Sequence, residues 1–324
     1  MSKPNVYITR RIPQAGIDLL LPGCNVEINP HDRALTRREL LEQVAGRDGV
    51  IGLLTDRIDG EFFDAAAEIK GYANYAVGFD NIDVPEATRR RVPVSNTPDV
   101  LTEATAEMAW ALLFAVARRL TESERVMRAD KWPGWGPLQF IGADIGGKTL
   151  GIVGAGRIGA SMALKSRGFN MRVLYCDARA NVELEQSLGA ERVEFDALLA
   201  QADFISIHVP LLPETRHLFN ARAFEKMKPS AYLINTSRGP VINEADLVAA
   251  LQAGKIAGAA LDVYEFEPKM IRGLAALENA VTTPHVSSAT ATARDGMATL
   301  AARNLLNMLA GKPGPTCLNP EIFS

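Results

Sequence analysis

Hydrophobic and polar positions in the first hundred residues fall into two alternating rhythms. Short β-rich apolar runs at residues 5–9, 26–29, 50–54 and 72–75 are separated by stretches of amphipathic composition. The short runs predict strands and the stretches between them predict helices. One of these helices opens on Thr36-Arg-Arg-Glu39, a spacing that lets each end satisfy the other's free N–H. Another opens on Asp83, with Pro85 tolerated in its first turn. A long helix over residues 102–119 follows. Its apolar run, 108–117, covers more than one face, which predicts burial between layers. Ten residues fall short of the roughly 20 that a membrane span needs. Residues 131–147 hold Trp132, Trp135, two prolines and five glycines, and predict a loop that offers a contact surface.

The βα rhythm restarts at Thr149. Strands are predicted at 149–153, 172–176, 204–209, 232–236, 256–262 and 280–282, and a final Ala/Leu-rich helix at 289–311. Two βα series predict an α/β protein with two doubly wound parallel-sheet domains, the last helix returning to the first.

A length of 324 residues agrees with two domains. With 47% hydrophobic and 23% charged residues the composition is that of a globular chain. A formal charge of -3 leaves no basic excess to neutralise phosphates, so nucleic acid is excluded as a partner. Cys24, Cys176 and Cys317 are odd in number and widely spaced, which argues against a disulfide framework. With no apolar stretch of signal-peptide character at the N-terminus, a cytoplasmic location is expected, and neither membrane nor metal is.

The candidate chemistry begins at Gly154-Ala-Gly156-Arg157-Ile158-Gly159. An apolar run precedes it and a helical composition follows, the context in which three glycines let a pyrophosphate approach a helix N-terminus. Asp177 closes the next predicted strand. A carboxylate there accepts hydrogen bonds from ribose hydroxyls and repels a 2'-phosphate, favouring NAD(H), while nearby Arg179 leaves NADP(H) open. His31 and His217 lie in polar stretches and are expected to be solvated. His208 and His285 both sit at predicted strand ends, and pattern alone does not choose between them. Arg238, in Asn235-Thr-Ser-Arg-Gly239, is either a carboxylate clamp or a surface arginine on a turn. Glu265 and Glu267 read as ordinary loop acids.

Taken together, Gly154-x-Gly156-x-x-Gly159, Asn235-Thr-Ser-Arg238-Gly, Gly258-Ala-Ala-Leu-Asp262-Val-Tyr-Glu-Phe-Glu267-Pro and Thr283-Pro-His285 resemble the D-isomer-specific 2-hydroxyacid dehydrogenases along the whole chain. The resemblance implies a Rossmann NAD-binding domain, residues 100–287, inserted in a split flavodoxin-like substrate domain, residues 1–99 and 288–324. It favours His285 as the proton donor to the substrate carbonyl, with Glu267 bonded to the imidazole and favouring its charged form, and Arg238 on the substrate carboxylate. It also implies substrate contacts at Leu54, Val77, Gly78, Trp135 and Ser288. Cofactor contacts are implied at Thr105, the glycine turn with Arg157 and Ile158, Asp177, Val209, Pro210, Thr215, Thr236 and Asp262, the last beside the nicotinamide carboxamide. The Trp-bearing loop becomes the arm of a homodimer.

Within the family the chain is most similar to the glyoxylate/hydroxypyruvate reductases, so a small 2-keto acid is the expected substrate. Ser287 and Asp99 stand where glycine is frequent. Rival readings are a dehydrogenase of another 2-hydroxy acid or of phosphite, the latter disfavoured by Val77 where those enzymes carry lysine, and a nicotinamide-sensing co-repressor or scaffold on the same fold.

Overall fold

The structure, a computed structural model, describes residues 2–324. It divides into two units: the residues through Leu101 together with Ala289–Ser324, and Thr102–Ser288.

In the first unit the order is β1 (Asn5–Ile8), α1 (Gln14–Leu20), β2 (Asn25–Ile28), α2 (Arg37–Val44), β3 (Gly49–Gly52), α3 (Gly60–Ala65), β4 (Tyr72–Asn74), α4 (Val84–Arg89) and β5 (Val94–Ser95). All strand pairs are parallel, in the order β2-β1-β3-β4-β5. The predicted caps form. Thr36 accepts from the Glu39 N–H while the Glu39 carboxylate accepts from the Thr36 N–H, and Asp83 accepts from the Glu86 N–H with Pro85 in the first turn. Phe62 and Phe63 of α3 and Leu40 and Val44 of α2 pack with Tyr7, Val50 and Tyr72 from the strands.

The second unit runs α5 (Thr102–Ala117), α6 (Leu120–Arg128), β6 (Thr149–Val153), α7 (Arg157–Lys165), β7 (Arg172–Cys176), α8 (Val182–Leu188), β8 (Glu191–Arg192), α9 (Phe195–Gln201), β9 (Phe204–Ile207), α10 (Ala221–Lys226), β10 (Tyr232–Asn235), α11 (Glu244–Gln252), β11 (Gly258–Leu261) and β12 (Ala280–Thr282). Its seven strands are parallel, in the order β12-β11-β10-β9-β6-β7-β8. Successive strand residues enter opposite cores, which is why these strands read as continuous apolar runs. Val173 and Tyr175 face the layer of α5, α7 and α8, while Leu174 faces that of α9, α10 and α11. Ile234 and Ala260 divide from Leu233 and Ala259 in the same way. The chain then returns to the first unit as α12 (Ala291–Leu309), which packs on α1, β3 and β4.

Both sheets are doubly wound, and the second has the Rossmann order, reversing between β6 and β9. Three local features depart from expectation. The two-residue strands β5 and β8 and the helix α6 were not foreseen. Asp99 has φ +71°, a left-handed conformation that glycine adopts without strain.

Candidate active site

In the second unit the predicted residues gather along the C-terminal edge of the sheet, where open α/β sheets bind ligands. Gly154 leaves β6 with φ +97°, and a Cβ there would lie 2.7 Å from both His208 C and Val209 N. At Gly159 a Cβ would lie 2.0 Å from the Gly154 carbonyl oxygen, so helix and turn pack backbone to backbone. At Gly156 it would meet nothing within 4 Å. Helix α7 has no side-chain cap and no acid in its first turn, which leaves its N-terminal dipole uncompensated for an anion. Arg157 is exposed and Ile158 half-buried beside this turn.

Asp177 follows β7. Its carboxylate accepts from the Ala155 N–H at 2.7 Å and the Arg179 N–H at 3.1 Å, tying it to the glycine turn. Val209 and Pro210 follow β9, in a loop stapled by Thr215, whose hydroxyl donates to the Pro210 carbonyl and accepts from the Leu212 N–H. Thr105 is buried in α5, and Thr236 is buried with no hydrogen-bond partner for its hydroxyl. An open glycine turn at an uncapped helix, a carboxylate at the next strand end and an unsatisfied buried hydroxyl fit a dinucleotide.

The two histidines left open by pattern separate clearly. His208 places Nε2 2.9 Å from Ser206 Oγ and 3.3 Å from Met162 Sδ. Part of the residue's surface is exposed, but its imidazole lies among protein atoms, and desolvation pushes it down to about 3. A neutral ring so placed is structural.

His285 pairs with a carboxylate: its Nδ1 is 2.9 Å from Glu267 Oε2, and Glu267 Oε1 accepts from the Tyr264 N–H at 3.0 Å. Burial pushes the Glu267 carboxyl up. The His285 hydrogen bond and charge, the Tyr264 N–H and the Arg238 charge outweigh that and hold it below the ordinary carboxylate range. Arg238 is aimed by the buried Asn235, which accepts from the Ser237 N–H and hydroxyl and donates to the Arg238 carbonyl, curling the chain after β10.

Asp262 has a structural duty that the sequence did not suggest. His285 has φ +53°, and its N–H donates to the Asp262 carbonyl at 2.9 Å. The Asp262 carboxylate then accepts from the next two N–H groups, Val286 at 2.8 Å and Ser287 at 2.7 Å, and from the Thr283 and Ser287 hydroxyls. Its four acceptor positions hold the turn that presents His285. Ser288, the next residue, is half-buried. Trp135 is 83% exposed, within a run of exposed apolar residues that includes Trp132, Leu138 and Ile141.

In the first unit, Leu54 lies on the loop after β3, and Val77 and Gly78 on the loop after β4. Asn96 donates to the Val77 carbonyl at 2.7 Å and Asn74 to the Gly78 carbonyl at 3.0 Å. Across a trans peptide C=O and N–H point opposite ways, so the Gly78 and Phe79 N–H groups face away from these anchors. Asn81 binds the Leu53 and Asp56 carbonyls and thereby ties the two loops together. Asp56, buried beneath them, accepts from the Thr9 hydroxyl and the Leu53 N–H. Asn74, Asn96 and Asp56 were missed as site-building residues, because only the fold brings them under these loops.

Two expectations need correction. His217 is not a solvated loop residue, and Glu265 is not an ordinary loop acid. His217 Nε2 lies 2.6 Å from Glu265 Oε1, and the Glu265 side chain is only 8% exposed. Residues 48 positions apart carry no mutual signal in sequence.

Residues 110–287 match the family described as D-isomer specific 2-hydroxyacid dehydrogenase, NAD binding domain. A glyoxylate reductase of Thermococcus onnurineus is 48% identical over 326 residues, covering 99% of this chain and 98% of the relative. The chain belongs to the D-isomer specific 2-hydroxyacid dehydrogenases. This dehydrogenase is NAD(P)-dependent, and its fold recurs in solved relatives. A glyoxylate reductase from Paecilomyes thermophila has a TM-score of 0.87 at 31% identity, with 99% of each chain covered. An NADPH-dependent glyoxylate/hydroxypyruvate reductase from Sinorhizobium meliloti, in complex with NADP and malonate, has a TM-score of 0.86 at 29% identity, with 98% of each chain covered. Among the described residues, no helix of the dehydrogenase is long and apolar enough to cross a membrane.

Proposed function

We propose that this dehydrogenase reduces glyoxylate or hydroxypyruvate to the corresponding 2-hydroxy acid, with NADH favoured over NADPH. The observation that carries the reading is the 2.9 Å pair of His285 Nδ1 and Glu267 Oε2, within the electrostatic reach of Arg238. Reduced nicotinamide, when bound, supplies a hydride to C2 of the keto acid. The carbonyl π electrons move to oxygen, and protonated His285, whose Nδ1 is engaged by Glu267, delivers its Nε2 proton there. A hydroxy acid and a neutral imidazole result. Arg238 binds the substrate carboxylate through its planar fork and polarises the carbonyl. Glu267 stabilises the charged imidazole before transfer and fixes its orientation.

For the first unit, we assign Leu54, Val77 and Gly78 as substrate contacts, the loop's outward N–H groups taking the carboxylate. The residues proposed to hold the coenzyme are Thr105, the turn from Gly154 to Gly159, Asp177, Val209, Pro210, Thr215 and Thr236. The preference for NADH rests on the Asp177 carboxylate at the end of β7. Asp262 is assigned to the nicotinamide carboxamide, contact with which would displace one of the two hydroxyls, Thr283 or Ser287, that its carboxylate now accepts from. Ser288 and Trp135 complete the proposed substrate contacts, and the exposed apolar run around Trp135 suits the arm of a cytoplasmic homodimer. A spectrophotometric panel of glyoxylate, hydroxypyruvate, pyruvate and phenylpyruvate, each with NADH and NADPH, tests the assignment. Glyoxylate or hydroxypyruvate with NADH should give the highest kcat/KM; absence of turnover with all four acids alongside tight NADH binding would favour a sensor instead.

A further inference from the structure

A second histidine–carboxylate cluster is built into the segments that carry Arg238 and Glu267, and its bearing on the reaction rests on the catalytic roles proposed for those two residues. The His217 N–H donates to the Pro240 carbonyl at 2.8 Å. Phe219 N–H to Val241 O and Asn243 N–H to Phe219 O continue this as a short parallel bridge alongside the turn after Arg238. The side chain of His217 reaches the other loop, where Glu265 Oε1 lies 2.6 Å from Nε2 and Arg216 is 3.8 Å from the same oxygen. One residue therefore joins the arginine turn through its backbone and the acid loop through its ring.

Glu265 is held from its far side as well. Its Oε2 accepts from the Glu244 N–H at 3.4 Å, while Glu244 Oε1 accepts from the Glu265 N–H at 2.7 Å and Oε2 from the Ile271 N–H at 3.3 Å. Glu244 opens α11 and is buried. The two segments also touch through backbone: a Cβ on Gly239 would lie 1.8 Å from Tyr264 C and 1.9 Å from Tyr264 O. Apolar packing would hold such loops near each other without fixing their register, whereas these directional bonds fix it.

We propose that His217, acting through Glu265 and Glu244, is a positioning residue that sets the register of residues 264–268 against the Arg238 turn, and with it the placement of Glu267 on His285. Misplacement of a reacting group by about 1 Å can cost about 10²-fold in rate, so a partial displacement is expected to cost about tenfold.

The test compares His217→Ala, His217→Gln and His285→Ala in the full-length protein. His217→Ala should lower kcat/KM for glyoxylate about tenfold, leave the KM for NADH unchanged and displace the limbs of the pH–kcat/KM profile. His217→Gln, whose amide still donates to Glu265, should restore both rate and profile. If His217→Ala does not fold, Glu265→Ala, which removes the acceptor for the His217 ring, carries the same test, with the same displaced profile expected. A lowered Tm with wild-type kcat/KM and pH profile in the folded variant would overturn the proposal, leaving His217 a purely structural residue. Full turnover in His285→Ala would instead overturn the catalytic reading on which it rests.

Discussion

Replacing Glu267 by glutamine removes one charge and one of two acceptors, since the amide nitrogen cannot accept from the Tyr264 N–H. The side chain keeps its length, and its amide oxygen still accepts from His285 Nδ1. The bond concerned is 2.9 Å long, between side chains that are 28% and 31% exposed. A hydrogen bond to a charged group contributes roughly 1.5–3 kcal/mol and a neutral one about 0.5–1.5, so removing the charge costs about 1–2 kcal/mol. Partial exposure to water favours the lower part of that range. Each 1.36 kcal/mol is tenfold in rate, so kcat for glyoxylate reduction should fall roughly 5–30-fold. Glu267→Ala also loses the orientation of the ring and should fall further, toward the roughly 10²–10⁴-fold typical of a lost general acid.

The pH dependence has a definite sign. The Glu267 carboxyl is held below its ordinary value by His285, the Tyr264 N–H and Arg238 against the effect of burial, so it stays ionised from about pH 7 down to about pH 5. The ratio of wild-type to Glu267→Gln rates should be larger near pH 7 than near pH 5, because stabilisation of the charged imidazole by Glu267 matters least where protons are most available. Stability contributed by this ion pair is likewise present above the unfolded carboxyl's value and lost as pH falls through the lower folded one. Initial rates at saturating NADH check the first statement, and thermal unfolding as a function of pH checks the second. A Glu267→Gln enzyme within twofold of wild type near pH 7, or a ratio that grows as pH falls toward about 5, would refute the reasoning.

Three other outcomes follow from the geometry. Asp177→Asn keeps an acceptor for one of the Ala155 and Arg179 N–H groups and removes the charge; the NADPH/NADH ratio of kcat/KM should rise about tenfold or more, and an unchanged ratio would remove Asp177 as the discriminator. Arg238→Lys replaces a planar fork by a point charge and should raise the KM for glyoxylate and lower kcat, together about 10–100-fold in kcat/KM by steady-state assay. Asn81→Ala frees the Leu53 and Asp56 carbonyls and should raise the KM for the keto acid roughly tenfold while leaving that for NADH unchanged; an equal rise in both would point to general unfolding.

Legibility in the sequence followed the physics of each element. The strands of the second unit other than β8 were readable because both of their faces are buried, so each is a mainly apolar run bounded by turns. Strands β6, β7 and β12 fall on the predicted residues. The edge strands β5 and β8 are two residues long, and Glu191 and Arg192 of β8 are both exposed, so neither produces a run. Helix α6 buries none of its residues, and Leu120, Val126 and Met127 are the only apolar positions in its nine, too short a pattern to have been read. The glycine turn was legible because its constraint is local. The choice between His208 and His285 was not, since both follow apolar strands; what separates them is a carboxylate beside one and desolvation around the other.

The same distinction explains why the supporting residues stayed hidden while the residues proposed to react were visible. Arg238, Glu267 and His285 stand in short motifs whose chemistry is suggestive in isolation. Asp262 acts through three successive N–H groups more than 20 residues away, and His217 through a carboxylate 48 residues away. Their importance is set by what they hold. His285 occupies a left-handed backbone conformation that costs a non-glycine residue about 1–3 kcal/mol. It persists because the Asp262 carbonyl and carboxylate capture the N–H groups of residues 285, 286 and 287 in one turn. The bent backbone at His285 is thus maintained by its surroundings. A sequence motif can point to His285, but the groups that hold its turn come together where β11 and β12 end side by side.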